Sequence, residues 1–419
     1  MLDAYVRDLR SFDRNVRLYL ISGALVGFTT AGGIYTVLLN LYILRLGYGF
    51  ELVGMVNAAG AIAYALFCLP AGAMGKRFGT RRVMLFGMVL ITVGNGMLPL
   101  AEFVAESWRA HWLVLARVPR AIGFAMYLVN AAPFLIAATD RARRHRVFSV
   151  QAALQPLAAV AGSVAGGLLP GLFALSLGVD LDQPAPYRYP LILATFLLIP
   201  AVGALMATRE VDPPTGSAPA TAGAAAIPIA AVICIAVVAF LVTVGVAVVQ
   251  TFFNVYMDDG LQQSTALIGL LSAAAQLVSG VAALASPFMT ARWGKGPAIA
   301  ATSVAMAVFL LPMAFIPSWV AVGVGCIGVF AMGAMRFSVF TVFQQEMVPD
   351  RWRPTISGAT AMATGLSYAA VALGGGYLIP AYGYGAVFTL SAVAVVAGAL
   401  LFQLYFRRPR GEYARHSGE

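Results

Sequence analysis

The sequence has little charge and few residues that ligate metals. Charged residues make up 11 % of its 419 residues, and the chain has only three cysteines and three histidines. A soluble domain carries about 25 % charge, so this composition excludes an ordinary water-soluble protein. Cys68, Cys234 and Cys326 all fall inside apolar runs. Because they form neither a disulfide framework nor a metal-ligand spacing, we expect no metal and no other cofactor.

Long apolar runs take the place of charge. A hydrocarbon core of ~30 Å is crossed by about 20 mostly apolar residues in a helix, and many runs here have that length. The predicted spans 1 to 12 are 16–45, 51–74, 83–101, 112–138, 147–175, 188–208, 228–257, 264–290, 297–317, 318–347, 355–380 and 384–406. The predicted fold class is therefore all-α: a polytopic membrane protein with twelve transmembrane helices.

The 27 basic residues are concentrated in every second connection. The series begins with Arg7, Arg10, Arg14 and Arg17 before span 1 and ends with Arg407, Arg408, Arg410 and Arg415 in the tail. The other connections carry only Arg45, Arg109 and Arg188. Because positive residues are retained in the cytoplasm, this bias predicts a multi-pass protein of the inner or plasma membrane with both termini cytoplasmic. We interpret the net charge of +10 as these topology signals and as contacts with anionic headgroups, and we expect no nucleic-acid partner.

A segment of different composition divides the chain. Residues 212–226 read DPPTGSAPATAGAAA, a composition typical of a flexible linker. The apolar residues before span 1 recur at helical spacing among Asp and Arg, which predicts an amphipathic helix on the membrane surface. The predicted domains are this segment (1–15), a six-helix bundle (16–208), a cytoplasmic linker (209–227), a second six-helix bundle (228–406) and a basic tail (407–419).

The two predicted bundles also repeat each other. Leu52-Val53-Gly54 recurs 215 positions later as Leu267-Ile268-Gly269, and Arg77-Phe78-Gly79 recurs at the same displacement as Arg292-Trp293-Gly294. Thr29, Gly33, Thr36 and Asn40 predict one polar helical face in span 1, and Thr243, Ala247, Gln250 and Asn254 repeat it in span 7. Two parallel, pseudo-symmetric six-helix repeats are typical of transporters.

Three stretches carry a resemblance to the major facilitator superfamily over essentially the whole chain. Residues 72–82, GAMGKRFGTRR, resemble its motif A, although Lys76 stands where the family usually has an acid. Residues 117–123, RVPRAIG, resemble motif B. Residues 162–167, GSVAGG, resemble motif C of the multidrug/efflux antiporter branch, with Ser163 in place of proline.

This resemblance implies a fold and a set of moving parts. It implies that spans 1, 4, 7 and 10 surround a central substrate cavity and that the two bundles rock around it in alternating access. It also implies gating or conformational roles for the matched positions, which are Gly72, Arg77, Gly79, Arg81, Gly162, Gly166 and Gly167.

Three arginines remain inside predicted spans: Arg117, Arg120 and Arg336. An arginine at mid-bilayer costs roughly 2.5–3.5 kcal/mol on insertion scales, and no acidic residue is placed near them. Guanidinium groups match carboxylates and phosphates, which favours an anionic substrate, although structural packing against carbonyls is an alternative. The predicted substrate-binding residues are Arg120, Arg336, Arg117, Tyr127, Asn130, Thr36, Asn40, Gln250, Asn254, Phe124 and Phe340.

The same lack of mid-membrane carboxylates bears on energy coupling. Proton relays generally use a buried Asp or Glu, and the three histidines fall in loops or the tail. Facilitated diffusion or anion exchange therefore competes with proton coupling through Glu51 or Glu346.

The pattern as a whole predicts a secondary active transporter that exports a small organic or amphipathic, anionic solute. No Walker loop or catalytic triad is present, so we expect neither an ATP-driven pump nor an enzyme. The alternative within transport is an importer or exchanger of a small organic anion, and the rival of another class is a lipid scramblase or intramembrane enzyme. The expected partners are a small-molecule substrate, the lipid bilayer and a coupling proton or counter-anion, with the protein a monomer.

Overall fold

The computed structural model describes residues 12–140, 143–210, 229–348 and 352–406. Its long helices are Arg14–Thr29, Ile34–Arg45, Phe50–Phe78, Thr80–Met97, Glu106–Ala137, Arg144–Leu177, Ala185–Met206, Ile229–Val255, Thr265–Trp293, Lys295–Phe315, Trp319–Glu346 and Arg353–Phe406. Within this part of the chain, eleven helical segments are long and apolar enough to cross a membrane. The last segment, Thr355–Phe406, contains both span 11 and span 12. The two spans are separated at Gly383, which has non-helical torsion angles (φ 77°, ψ 173°). The predicted all-α polytopic fold is confirmed.

The chain divides into two compact units. Unit 1 consists of Met1–Tyr48, Leu66–Ser217 and Thr265–Ala273, and unit 2 consists of Gly49–Ala65, Ala218–Ser264 and Ala274–Glu419. The first residues of spans 2 and 8 are therefore grouped with the other half of the sequence. The predicted domain boundaries stay a prediction. Most of the predicted linker, the first eleven residues of the amphipathic segment and the tail 407–419 lie outside the described residues.

The glycines that end the repeated triplets, Gly54 in span 2 and Gly269 in span 8, lie where these spans contact helices from the other half of the sequence. In unit 2, a Cβ on Gly54 would overlap the carbonyl oxygen of Ala372 and lie 3.1 Å from the Cα of Gly376 in span 11. In unit 1, a Cβ on Gly269 would lie 2.6 Å from the Cα of Gly167 in span 5. Small residues allow helix backbones to approach closely in a membrane. The repeat seen in the sequence is thus a pair of close helix crossings.

Span 1 differs from its prediction. It is two helices, span 1a (Arg14–Thr29) and span 1b (Ile34–Arg45), separated by four non-helical residues, Thr30–Gly33, which we call the break. The prediction of one continuous helix with Thr29, Gly33, Thr36 and Asn40 on a single face is therefore wrong. The cause is the pair Gly32-Gly33, since Gly32 has φ 91°, a left-handed conformation that is accessible mainly to glycine.

Span 5 is shaped to receive the break. A Cβ on Gly162 would overlap the carbonyl oxygen of Phe28 and lie 2.9 Å from the Cα of Gly33. Four residues on, a Cβ on Gly166 would lie 3.1 Å from the Cα of Ile34. The Ser163 hydroxyl donates a 2.6 Å hydrogen bond to the Gly32 carbonyl. Gly162 therefore packs against the break and Gly166 against the start of span 1b, and Ser163 supplies a donor that proline would lack.

Candidate functional site

The break and Arg120 form the first polar cluster within the membrane-spanning part of unit 1. Arg120 lies 14 residues into the helix Glu106–Ala137, about 21 Å from its first residue at 1.5 Å per residue. Its Nη2 donates a long, 3.5 Å hydrogen bond to the Thr30 carbonyl, and its buried Nε has no hydrogen-bond partner. Thr36 closes the break locally, because its hydroxyl donates to the Thr30 carbonyl (3.1 Å) and accepts from the Gly32 N–H (3.0 Å).

Tyr35 and Asn95 hold the break against spans 3 and 6. The Tyr35 hydroxyl lies 2.6 Å from the Asn95 carbonyl, to which it donates, and 2.9 Å from the Thr195 hydroxyl. The Asn95 side chain is fully buried, and its Nδ2 donates to the Thr30 hydroxyl at 2.9 Å. Its Oδ1 is buried without a partner. Sequence reasoning did not single out Asn95, although a lone asparagine in a predicted span was a usable signal.

The other predicted residues of span 4 lie deeper in unit 1. Tyr127 is 2 % exposed and stacks on Tyr19 with ring centroids 6.0 Å apart. Asn130 is buried, and its Nδ2 donates to the carbonyls of Ala71 (3.1 Å) and Met126 (2.9 Å). Phe124 packs against the same apolar cluster as Tyr127. These three residues make contacts within unit 1, and their roles as substrate ligands stay predictions. The role of Arg117, which is half-buried, also stays a prediction.

Arg336 is the centre of a second cluster, in unit 2. Its side chain is 5 % exposed, its guanidinium carbon lies 5.9 Å from the centroid of the Phe340 ring, and its Nε has no hydrogen-bond partner. The Tyr368 hydroxyl lies within electrostatic range of this guanidinium and donates to Gln250 Oε1 at 2.7 Å. The exposed Gln250 side chain joins span 7 to span 11.

Phe340 and Phe343 belong to an aromatic cluster with span 12. Phe340 lies 6.5 Å from Phe402, and Phe343 lies 5.2 Å from the same ring, measured between centroids. Both side chains are buried, so they pack within unit 2. Asn40 in span 1b and Asn254 in span 7 are buried as well. For Phe340, Asn40 and Asn254, contact with substrate stays a prediction.

A carboxylate lies just beyond residue 257, where span 7 was predicted to end. Span 7 continues as a π-helical segment, Tyr256–Gly260, in which Asp258 is only 7 % exposed. The Tyr384 hydroxyl donates to the neighbouring Asp259 at 3.1 Å, and the Tyr384 ring stacks on Tyr256. The sequence gives no period that would predict this widening, because an inserted residue leaves the apolar pattern nearly unchanged.

The motif A-like loop is bound to the end of span 6. Gly79 has φ 90° and is the N-cap of span 3; its counterpart Gly294 has φ 78° and is the N-cap of span 9. The Arg81 guanidinium donates to the Thr208 hydroxyl (3.2 Å) and the Met206 carbonyl (2.8 Å). The role of Arg81 in gating stays a prediction, as do those of Gly72, Arg77, Gly79, Gly162, Gly166 and Gly167.

Acidic groups also lie at the ends of these loops. The Glu210 carboxylate lies against Gly79, while Lys76 and Arg77 are exposed. In unit 2, Lys295 forms an ion pair with Glu346, and both side chains are partly exposed. Glu346 is therefore a paired charge at a span end. Among the described residues, no group of three or more His, Cys, Asp or Glu side chains could hold a metal ion.

Comparisons with known proteins give one family and one fold. The Major Facilitator Superfamily matches residues 19–372 and, in a second match, 235–419. A variant of the nucleoside transporter NupG superposes with a TM-score of 0.72 at 14 % identity, covering 94 % of this chain and all of its own. A D-xylose–proton symporter gives 0.72 at 15 %, covering 93 % and 96 %. A bacterial homologue of the human lysosomal transporter Spinster, inward-facing and occupied, gives 0.69 at 17 %, covering 97 % of each chain.

These likenesses, all under 25 % identity, show the fold alone. No curated protein sequence matches the chain. The family match spans more than half of the sequence and agrees with the motif A-like loop and the helical fold. The chain therefore belongs to the Major Facilitator Superfamily.

Proposed function

We propose that the protein is a secondary active transporter that exports a small organic or amphipathic anion by alternating access. The observation that carries the proposal is a buried arginine Nε in each unit, on Arg120 and on Arg336, that no acceptor satisfies. No ion pair joins either group to a carboxylate among the described residues. A charge retained inside a membrane span without an ionic partner costs energy, and an anionic ligand supplies the missing acceptor.

The apolar part of the substrate is proposed to contact aromatic rings next to these charges. Phe340 lies under the Arg336 guanidinium, and the Tyr368 hydroxyl adds a polar group at the same place. An aromatic face beside a guanidinium suits an anion with an attached ring, since the ring and the charge have separate contacts.

Import is the second candidate, and one similar fold favours it. The D-xylose–proton symporter couples its sugar to protons, as its name states. If this chain used protons, the buried Asp258 would be the carboxylate best shielded from water among those the structure describes. Export rests only on the motif C-like segment, in which Gly162 packs against the break.

The test uses four small ring compounds that differ in charge: phenylacetate, phenylphosphonate, benzyl alcohol and benzylamine. The full chain, purified in detergent, is expected to gain thermal stability with the two anions and not with the alcohol or amine. Efflux of radiolabelled phenylacetate from proteoliposomes, with and without a pH gradient, then reports direction and coupling. Arg336→Gln and Arg120→Gln should each lower the flux at least about tenfold, since each removes a charge-assisted contact worth about 1.5–3 kcal/mol.

The matched control is Arg17→Gln, which removes an exposed arginine at the start of span 1a. Its flux should equal that of the wild type. Stabilisation by benzylamine alone would exclude an anion transporter. Lipid exchange between leaflets without any solute flux would favour a scramblase instead.

A further inference from the structure

We propose that the break in span 1 is the subsite for the charged head of the substrate, and that this head is an anion with a hydrogen-bond donor on the adjacent carbon, as in a 2-hydroxy carboxylate. The inference rests on the proposed function, because it gives a place and a chemistry to the anion that the protein is proposed to move.

The first argument is the positive charge that converges on the break. Span 1b has twelve residues and begins at Ile34, and its N-cap Gly33 provides no side-chain cap. The first N–H groups of a helix lack intrahelical acceptors and together act as about half a positive charge. The Arg120 guanidinium reaches the Thr30 carbonyl at the other end of the break. Two positive groups therefore flank four non-helical residues inside a span, where an anion replaces a weak, 3.5 Å bond.

The second argument is an acceptor whose orientation the neighbouring hydroxyl groups fix. The Thr29 hydroxyl donates its only proton to the Leu25 carbonyl at 2.7 Å, so in the 3.2 Å contact between Thr29 and Thr30 the donor is Thr30. The Thr30 oxygen can then only accept from Asn95, which must present its Nδ2. Asn95 Oδ1 is therefore directed away from Thr30 and remains a buried acceptor without a partner.

A hydroxyl beside the anion satisfies this acceptor. A buried polar atom without a partner costs about 1–3 kcal/mol, and a ligand donor removes that cost on binding. Because Nδ2 and Oδ1 share one carbon, Oδ1 points away from the Thr30 hydroxyl but stays within a few ångströms of Thr30, the residue whose carbonyl accepts from Arg120. A ligand whose anionic group contacts Arg120 and whose hydroxyl donates to Asn95 therefore needs these two groups close together, as they are in a 2-hydroxy carboxylate.

The break can be reached from outside the helix core. Ala31, Gly32 and Thr36 are half-buried, whereas Thr30 and Asn95 are buried. The partly exposed side of the break therefore consists of main chain and small side chains, and the acceptor Asn95 lies on its buried side. Backbone that leaves the helix at membrane depth is tolerated where it is covered by protein or lines a polar space.

The first experiment compares mandelate with phenylacetate, which lacks only the hydroxyl. Binding to the full chain in lipid nanodiscs is measured by calorimetry. The wild type should bind mandelate about tenfold more tightly than phenylacetate. Asn95→Ala should remove this preference, and Arg120→Gln should weaken both ligands while leaving the ratio. Equal affinities in the wild type would overturn the assignment of Asn95.

The second experiment needs no change at Asn95, so it tests whether the anion binds at the break even if Asn95→Ala fails to fold. Ala31→Cys places a thiol at the break, and Val246→Cys places one at the half-buried position of the unbroken span 7 that corresponds to Gly32, the residue after Ala31. The native cysteines 68, 234 and 326 are buried and provide a low background for maleimide labelling. Mandelate should slow labelling at position 31 about tenfold and at position 246 less than twofold.

The outcomes separate the two proposals. If no anion binds the wild type, the proposed function fails. If anions bind but protect both thiols equally, or neither, the transporter stands and the subsite is elsewhere.

Discussion

Spans 1 and 7 hold corresponding positions in the two repeats, and their polar residues have the same spacing, yet only span 1 is interrupted. Span 7 runs as one α-helix from Ile229 to Val255 and changes only at its end, where five residues are π-helical. Span 1 stops at Thr29 and restarts at Ile34. The difference lies in two positions. Gly32-Gly33 in the first repeat corresponds to Val246-Ala247 in the second, and neither valine nor alanine tolerates the left-handed backbone of the break.

Spans 5 and 11, which pack against spans 1 and 7, each donate a serine hydrogen bond, but to different kinds of carbonyl. In unit 1, Ser163 of span 5 donates to the Gly32 carbonyl, which lies in the break. In unit 2, Ser367 of span 11 donates at 2.8 Å to the Phe240 carbonyl, which lies within a regular helix. A serine from the fifth helix of each repeat thus contacts the first helix, but only in unit 1 does it serve a carbonyl that has left the helical ladder. The repeat preserves the helix pairing and varies the backbone at the site.

The largest expected effect comes from filling the space that the break occupies. Gly162→Val should lower the free energy of unfolding by about 3 kcal/mol, because its Cβ would overlap the Phe28 carbonyl. Gly171→Val on the same span is the control, since that position is open. Unfolding in mixed detergent micelles measures both. Equal stability of the two variants would mean that span 5 does not hold the break.

Replacing the buried charge of unit 2 should stabilise the protein. Arg336→Met should raise the free energy of unfolding by about 2 kcal/mol, since a buried charge without an ionic partner is replaced by an apolar side chain. The same variant should lose stabilisation by phenylacetate. Arg17→Met, at an exposed site, should change neither quantity. A destabilised Arg336→Met that still responds to phenylacetate would assign Arg336 a structural role.

The two serines provide a direct comparison between spans 1 and 7. Ser163→Ala should cost about 1 kcal/mol, because the Gly32 carbonyl loses the donor that replaces its helical partner. Ser367→Ala should cost about half as much, because the Phe240 carbonyl keeps its place in the helix. Both are measured by the same unfolding assay. The reverse order would show that the break does not depend on Ser163.

The smallest effect is expected at the ion pair between Lys295 and Glu346. Its side chains are 39 % and 54 % exposed, so solvent screens the attraction. Glu346→Gln should change the free energy of unfolding by less than about 0.5 kcal/mol, with less difference still in 1 M salt. Unchanged phenylacetate flux would also exclude Glu346 as a proton-coupling group, whereas lost coupling to a pH gradient would restore it.

Part of the candidate site followed from composition. Arg120 and Arg336 were identified because arginine inside a span is rare and costly, and both are polar residues in otherwise apolar surroundings. Tyr127 and Asn130, also predicted to bind substrate, make contacts within their own bundle. A helical period places side chains around an axis, and it does not say which neighbouring helix each one meets.

The amino-acid sequence by itself determined that the chain lies in a membrane, how many spans it has and that its two halves repeat each other. The lengths of apolar runs and the positions of arginine are properties of single segments, so they can be seen without the fold. Only the tertiary structure decided that Gly32-Gly33 would open the helix and that Ser163 would bind the freed carbonyl. It likewise decided that Asn95 would be left with an unpaired oxygen. These features depend on contacts between residues more than sixty positions apart, where the gain in packing outweighs the local preference for an unbroken helix.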